Sequence, residues 1–447
     1  MLPPELVQRV AVCIERGDDF VSFLHAMSNT RLTLPLLVLQ TLAMTRSPDD
    51  VWPEPNLEVL PCPPLVPYLV ALTSRVRLAE SRQLQSWRLP SLPWVSHPLT
   101  TLSVTIEGAC SAARMAILPS LCAVIAQTPS LRTLDVVFAR RSDLYRPSAT
   151  QLVDAIAASC ILSLSLVAHE FFKLPSNSAR VLGQYLLRAP MTHVRLVKIA
   201  FVANGLLSWL IQHLLMSPSL VHLAVLDSPV VASVVPPGRL GRHLQRISLS
   251  AVPLSDLNGL TQRLADSTHL TSLSLHVDAS STNVPNGQPN GDATDYLIYN
   301  VLPQMHRLVE LSLRHCVVSP LAVHALAQAV LPHLDVLELD TNGLYGHGCL
   351  ALASYLPNAR HLFKLALRNQ GCTDTCVAAL VTALQRMPAL TALDLSGNAI
   401  GPTGAARLAH IAPQLTKWTM SDNPLTLAGV EALLCGWLHP SIRNCTK

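Results

Sequence analysis

Residues 390–415 read LTALDLSGNAIGPTGAARLAHIAPQL. The opening residues alternate apolar and polar, the period of a half-buried strand, and Leu408 and Ile411 stand three apart, the spacing of a helix face. The apolar positions are Leu390, Leu393 and Leu395, followed by Asn398, Ile400, Gly404, Leu408 and Ile411. The same offsets recur from Leu334 (Leu334, Leu337, Leu339, Asn342, Leu344, Gly348, Leu352, Tyr355) and from Leu362 (Leu362, Leu365, Leu367, Gln370, Cys372, Cys376, Leu380, Ala383). They recur again from Leu308, with Cys316 in place of Asn, and from Leu415, with Asn423. Eight matched offsets in five consecutive units make an internal repeat, and the repeat governs the fold.

Upstream, the strand half of the pattern persists at Leu99, Leu131, Ile161, Met191, Leu220, Leu244 and Leu270, as in LTTLSV, LRTLDV, LVHLAV and LTSLSL. Twelve starts between Leu99 and Leu415 give about 29 residues per repeat. LQSWRL (Leu84, Trp87, Leu89) reads as a degenerate first strand. In each unit the residues equivalent to Leu393 and Leu395 point inward. Asn398 ends the strand with an amide able to donate and accept, Gly404 allows close helix approach, and Leu408 and Ile411 seal the helix onto the strand layer. One unit cannot bury its own apolar face, but stacked units share a core. The expected fold class is therefore α/β: a leucine-rich-repeat solenoid with a small all-α head at the N-terminus.

Composition fits this. Apolar residues make up 50% of the 447-residue chain and aromatic residues 4%, so the core is expected to be aliphatic. A net charge of +4 is too small to imply nucleic acid. The eleven cysteines lack regular pairing. Cys372 and Cys376 have metal-pair spacing but fall on core offsets, where free cysteine packs as a small hydrophobe, so no metal is expected. Unpaired cysteines and the charged residues Glu5, Arg9 and Glu15 near the N-terminus point to an intracellular chain, cytoplasmic or nuclear, without a secretory signal. On that reading the sequon Asn444-Cys445-Thr446 carries no meaning. No apolar run reaches membrane-spanning length, the nearest being LTLPLLVLQTLAM. Phosphate-loop, H-E-x-x-H and G-x-S-x-G motifs are absent, so neither catalytic residues nor cofactors are expected.

The expected organisation is helices over 1–50, a connector over 51–83 with six prolines between Pro53 and Pro67, repeats over 84–424 and a C-terminal cap over 425–447. MLPPELVQRVAVCI reads as a helix, and Asp18 or Asp19 can cap a second one that buries Phe20, Phe23, Leu24 and Met27. The polar segment Asp278–Asp295 reads as a loop leaving the solenoid, either a tolerated insertion or a partner-binding arm.

LDLSGNAIGPTGAARLA and LELDTNGLYGHGCLALA resemble leucine-rich repeats of the ribonuclease-inhibitor type, over roughly residues 99–436. The resemblance implies a curved right-handed solenoid with strands on the concave side, where such proteins usually bind other proteins. The head resembles the opening of an F-box through Leu2, Pro3, Glu5, Leu6 and Val10, and through Asp19, Phe20, Phe23 and Leu24. That likeness implies that Leu2, Pro3, Glu5, Leu6, Phe20, Phe23 and Leu24 contact a Skp-type adaptor. The family's Cys-Arg-x-Trp ending is replaced by NTRLTLPLL, and the alternative reading is a three-helix cap on the first repeat.

The expected concave face carries Glu310, Arg314, Glu338, Asp340, Lys364, Arg368 and Asp394, with Arg314, Asp340 and Arg368 on neighbouring strands roughly 5 Å apart. This is either a recognition patch for a protein target or a self-neutralising ladder. Middle units place Ser163, Ser165, Ser248, Ser250, Ser272 and Ser274 there instead. Three functions fit. The first is an F-box-type substrate receptor of a ubiquitin ligase, the second a leucine-rich scaffold or regulator without ubiquitin link. The third is a small-GTPase regulator, a family that shares the repeat type but typically ends in an acidic tail, where this chain ends SIRNCTK.

Overall fold

A computed structural model describes residues 17–27, 34–44, 75–78, 100–106, 117–138, 146–202, 205–230, 232–278 and 291–437. The chain forms two compact units, Met1–Leu210 with Asp227–Pro229, and Ile211–Leu226 with Val230–Lys447.

The first unit opens with helices α1 (Gly17–Ala26) and α2 (Leu34–Ala43). Leu24, Leu36 and Leu39 are wholly buried, and Gln40 Nε2 donates to the Leu24 carbonyl at 3.1 Å. Asp18 and Asp19 stand inside α1 rather than before it, so they are not its N-cap. The first helix expected, at residues 1–14, lies outside the described residues, as does LQSWRL. Strand β1 (Arg75–Leu78) falls within the proline-rich range and pairs in parallel with β2 (Thr101–Ile106). Then follow α3 (Ile117–Gln127), β3 (Thr133–Phe138), α4 (Arg146–Ala157), β4 (Ser163–Leu174), α5 (Ser176–Arg188) and β5 (His193–Phe201). The strands pair in chain order, all parallel, with Leu102, Leu134, Leu164 and Val194 in one register. Parallel neighbours require a crossover, and a helix supplies it here. Helix α6 (Leu206–Leu215) carries the chain from the first unit into the second.

The second unit continues with β6 (His222–Leu226), β7 (Arg246–Val252), α7 (Leu254–Leu264) and β8 (Ser272–Val277). Next come α8 (Gly291–Tyr296), β9 (Glu310–Arg314), α9 (Pro320–Ala329), β10 (Val336–Asp340), α10 (Tyr345–Tyr355), β11 (Lys364–Arg368) and α11 (Asp374–Leu384). The unit ends with β12 (Ala392–Asp394), α12 (Pro402–Leu408), β13 (Lys417–Thr419) and α13 (Leu427–Trp437). These strands are again parallel and in chain order. Ile247, Leu273, Leu311, Leu337, Leu365, Leu393 and Trp418 stand in one register, and Leu337, Leu365 and Leu393 are at most 2% exposed. They form the single interior column that the offsets require. The fold is an α/β leucine-rich-repeat solenoid.

The turn after the strand is satisfied as its side chains predict. Asn342 accepts from the Cys316 N–H and donates to the Leu313 carbonyl, both at 2.9 Å and both one repeat upstream. Asn398 does the same for Gln370, Cys372 and Leu367, and Asn423 for Ile400 and Leu395. Gln370 substitutes by accepting from Leu344 N–H and donating to the Arg368 carbonyl. The residue seven positions after the repeat start has positive φ in eight repeats: Lys198, Asp227, Ala251, His315, Thr341, Asn369, Gly397 and Asp422.

The segment Asp278–Asp295 corrects one expectation. Helix α8 begins at Gly291 and runs into a wider turn over Leu297–Val301, whose Leu297, Ile298 and Val301 are buried. These apolar residues lie just beyond the polar run, and burying them draws its last residues into the helical layer. Cys316, Cys349, Cys372 and Cys376 are buried free thiols. Burial pushes the Cys316 thiol up to about 12, far from reactive thiolate.

Candidate functional site: the sheet face of the second unit

Along β9–β12 the inward residues alternate with outward ones, so the side chains two, four and six positions after each repeat start share the face away from the helices. This alternation brings Glu310, Ser312 and Arg314 beside Val336, Glu338 and Asp340, then beside Lys364, Ala366 and Arg368. Asp394 follows in register with Ala366. All seven sequence-predicted face residues therefore share one sheet face.

The charges are paired with one another. Lys364 Nζ lies 2.6 Å from Glu338 Oε1, Arg314 Nε 3.3 Å from Asp340 Oδ2, and Arg368 Nε 2.6 Å from Asp394 Oδ2. Arg246 Nη2 reaches Glu310 Oε2 at 2.6 Å. It spans β8, where Ser272 stands between the two in register and is too short to block them. Arg368 thus turns to Asp394, away from Asp340, although both acids are on adjacent strands.

Asp340 instead accepts from Thr341 Oγ1 and Asn369 Nδ2, each at 2.8 Å. The left-handed backbone at Thr341 and Asn369 follows directly after each strand. Ser312 Oγ donates to Glu338 Oε2 at 3.3 Å. For Asp394, burial alone would push the carboxyl up. The hydrogen bonds from the Ser396 backbone N–H, at 3.0 Å, and from Arg368 outweigh it and hold the carboxyl below its usual value. The carboxylates are the shielded members of these pairs. The Asp340 side chain is 12% exposed and Asp394 15%, against 48% for Arg314 and 36% for Arg368. The guanidinium edges are outermost, with the acids beneath them.

The sequence reading missed four members of this face. Arg246 was findable, since it lies two positions after Leu244, the offset of Glu310 and Lys364. His276 was findable too, six positions after Leu270 and in register with Arg314, whereas Asn369 and His315, whose ring stacks on His276 with centroids 5.2 Å apart, stand in the left-handed turn, which has no fixed residue type. Burial, followed by the Arg314 charge, lowers the His315 pKa, against the pull of Asp340 and Asp278.

In the head, Leu2, Pro3, Glu5 and Leu6 lie outside the described residues. Phe20 is in α1, Phe23 is half-buried and Leu24 wholly buried. Among the described residues, no group of three or more His, Cys, Asp or Glu side chains could hold a metal, and no helix is long and apolar enough to cross a membrane.

Comparison with known proteins agrees with the repeat. A family pattern described as "Leucine Rich repeat" matches residues 387–409. Protein NLRC5 of Mus musculus is 32% identical over 145 residues, 31% of this chain and 7% of that protein. Protein NLRC5 of Homo sapiens is 31% identical over 139 residues, 30% of this chain and 7% of that protein. The chain therefore aligns with a small fraction of these curated relatives' length. Among solved structures, the Rad7 and Elc1 complex in yeast is similar with a TM-score of 0.47 and 16% identity, covering 88% of each chain. An internalin (InlF) of Listeria monocytogenes gives 0.33 and 13%, covering 74% of this chain and 83% of that one. The strand–helix units are leucine-rich repeats.

Proposed function

We propose that this chain is a non-catalytic protein-interaction module that holds a target protein on the sheet face of its repeats, and that its head couples the target to a Skp-type adaptor of a ubiquitin ligase. The observation that carries the docking reading is the row of exposed cations over shielded acids from Arg246 to Asp394, fixed on strands that cannot move independently. Such an array costs little ordering entropy on binding and selects partners by charge pattern. The adaptor reading is supported by the F-box-like residues Leu2, Pro3, Glu5, Leu6, Phe20, Phe23 and Leu24.

The test is co-precipitation of the full chain with a Skp-type adaptor. Leu6→Asp combined with Phe23→Asp is expected to abolish capture of the adaptor while leaving target capture intact. Unchanged adaptor capture contradicts the adaptor half. A second reading, a scaffold without ubiquitin link, is favoured by one observation: Leu24 is wholly buried and so works as a core residue of the head. On that reading the double substitution lowers the thermal midpoint and changes no partner.

A further inference from the structure

The ladder from Arg246 to Asp394 spends its charges on itself. Glu310, Glu338, Asp340 and Asp394 each have a cation within 3.3 Å, so a partner that used them would first have to displace that cation. The sheet face of the first unit is different. The outward residues of β2–β5 are Thr101, Ser103 and Thr105, then Thr133, Asp135 and Val137, then Ser163, Ser165 and Val167, and finally His193, Arg195 and Val197. Ser103, Asp135, Ser165 and Arg195 form one row in register across four strands.

In that row Asp135 and Arg195 are opposite charges on either side of Ser165. Two inter-strand spacings put them about 10 Å apart. They do not pair with each other, and among the described residues neither has an ionic partner within 4.0 Å. Asp135 Oδ1 and Ser165 Oγ are withdrawn from solvent and make no hydrogen bond. Buried polar atoms are ordinarily satisfied, and these two, a carboxylate oxygen that accepts and a hydroxyl that donates or accepts, are not. A carboxylate already half stripped of water also loses less hydration when a partner covers it. The surrounding residues Thr133, Ser163, Val137 and Val167 are short, so another backbone can approach.

We infer that Asp135, Ser165 and Arg195 form the charge-reading part of the docking face, and that they take a partner polypeptide presenting a basic side chain and an acidic one about 10 Å apart. The basic group donates to Asp135 and Ser165 together, and the acidic group pairs with Arg195. This inference rests on the sheet face being the docking surface. It adds which stretch reads the partner's charge and in which order, since the ladder from Arg246 to Asp394 has its charges paired while Asp135 and Arg195 stand outside any ion pair among the described residues.

The test is selection of a phage-displayed random peptide library against the full native chain and its variants. Peptides retained by the native chain are expected to carry a Lys or Arg and an Asp or Glu at fixed separation. Asp135→Asn, which keeps size, and Arg195→Gln, which removes the charge but keeps a polar side chain, should each weaken those peptides roughly tenfold with unchanged thermal midpoints. Asp135→Lys with Arg195→Glu should retain peptides with the two charges exchanged, an outcome that mere misfolding cannot produce. Binding that ignores all of these changes but is lost on Arg314→Glu with Asp340→Lys overturns the inference and leaves the docking face standing. Binding that ignores both sets, or no enrichment on the native chain, counts against both.

Discussion

The side-chain amide of Asn398 donates to the main-chain carbonyl of Leu367, one repeat upstream, at 2.7 Å. Its Oδ1 accepts the N–H groups of Gln370 and Cys372, both at 3.0 Å. A single buried amide thus ties two successive turns, and it can do so because the two repeats are in register.

Asn398→Ala leaves these backbone groups buried and unmet, at a cost of about 3 kcal/mol. Asn369→Gly, which removes an exposed side chain that steadies Asp340 and keeps the left-handed backbone accessible, should cost under about 1 kcal/mol. Urea denaturation of both variants checks the contrast; equal losses would show that the amide ladder contributes nothing special.

Gly404 lies against the Asp374 carboxylate and Ile400, and an added Cβ would overlap both. Asp374 cannot step aside freely, because its Oδ1 accepts the Gly401 N–H at 2.7 Å. Gly404→Ala should destabilise by roughly 1–3 kcal/mol, and adding Asp374→Ala should cost less than the sum of the two single changes. A thermal-melting double-mutant cycle measures the coupling, and strict additivity would contradict this contact.

The Asp394 carboxyl is held below its unfolded value once the hydrogen bonds from Ser396 and Arg368 outweigh burial. A depressed folded pKa contributes stability above the unfolded value, about 4, and that contribution is lost as pH falls through the folded value. The denaturation midpoint of the native chain should therefore drop more steeply below pH 4 than that of Asp394→Asn. Arg368→Gln should raise the Asp394 pKa in a carbon-detected NMR titration. An unmoved titration would mean that the 2.6 Å pair carries no electrostatic weight.

The paired ladder also makes a prediction of its own. Reversing Asp340 alone to Lys sets a third cation beside Arg314 and Arg368, on the strands to either side. It should destabilise more than Asp340→Lys combined with Arg314→Glu, which restores one pair. Chemical denaturation of the two variants is the measurement. Equal stability would indicate that solvent screens the face.

The interior columns and the amide ladder were legible because each needs a residue type at a fixed offset: Leu or a close substitute at 337, 365 and 393, Asn or Gln at 342, 370, 398 and 423. The left-handed position between strand and amide was not. Lys198, Asp227, Ala251, His315, Thr341, Asn369, Gly397 and Asp422 share the conformation without sharing chemistry. There the surrounding ladder imposes a backbone that only Gly, Asn and Asp adopt readily. The face residues were legible from alternation, but their partners were not. Arg368 stands between two acids, and only side-chain geometry sends it to Asp394. The helix from Gly291 was hidden because its first residues are those of a loop and its apolar anchors follow them.

The central claim, that the outward sheet face is where a target protein docks, is tested most directly by site-specific photo-crosslinking in cells. One photoreactive residue is placed at Ser312, on the sheet face of β9, and another at Leu321, which is 73% exposed on helix α9. The account predicts covalent capture of a target from position 312 and none from position 321. Capture from 321 alone would contradict it.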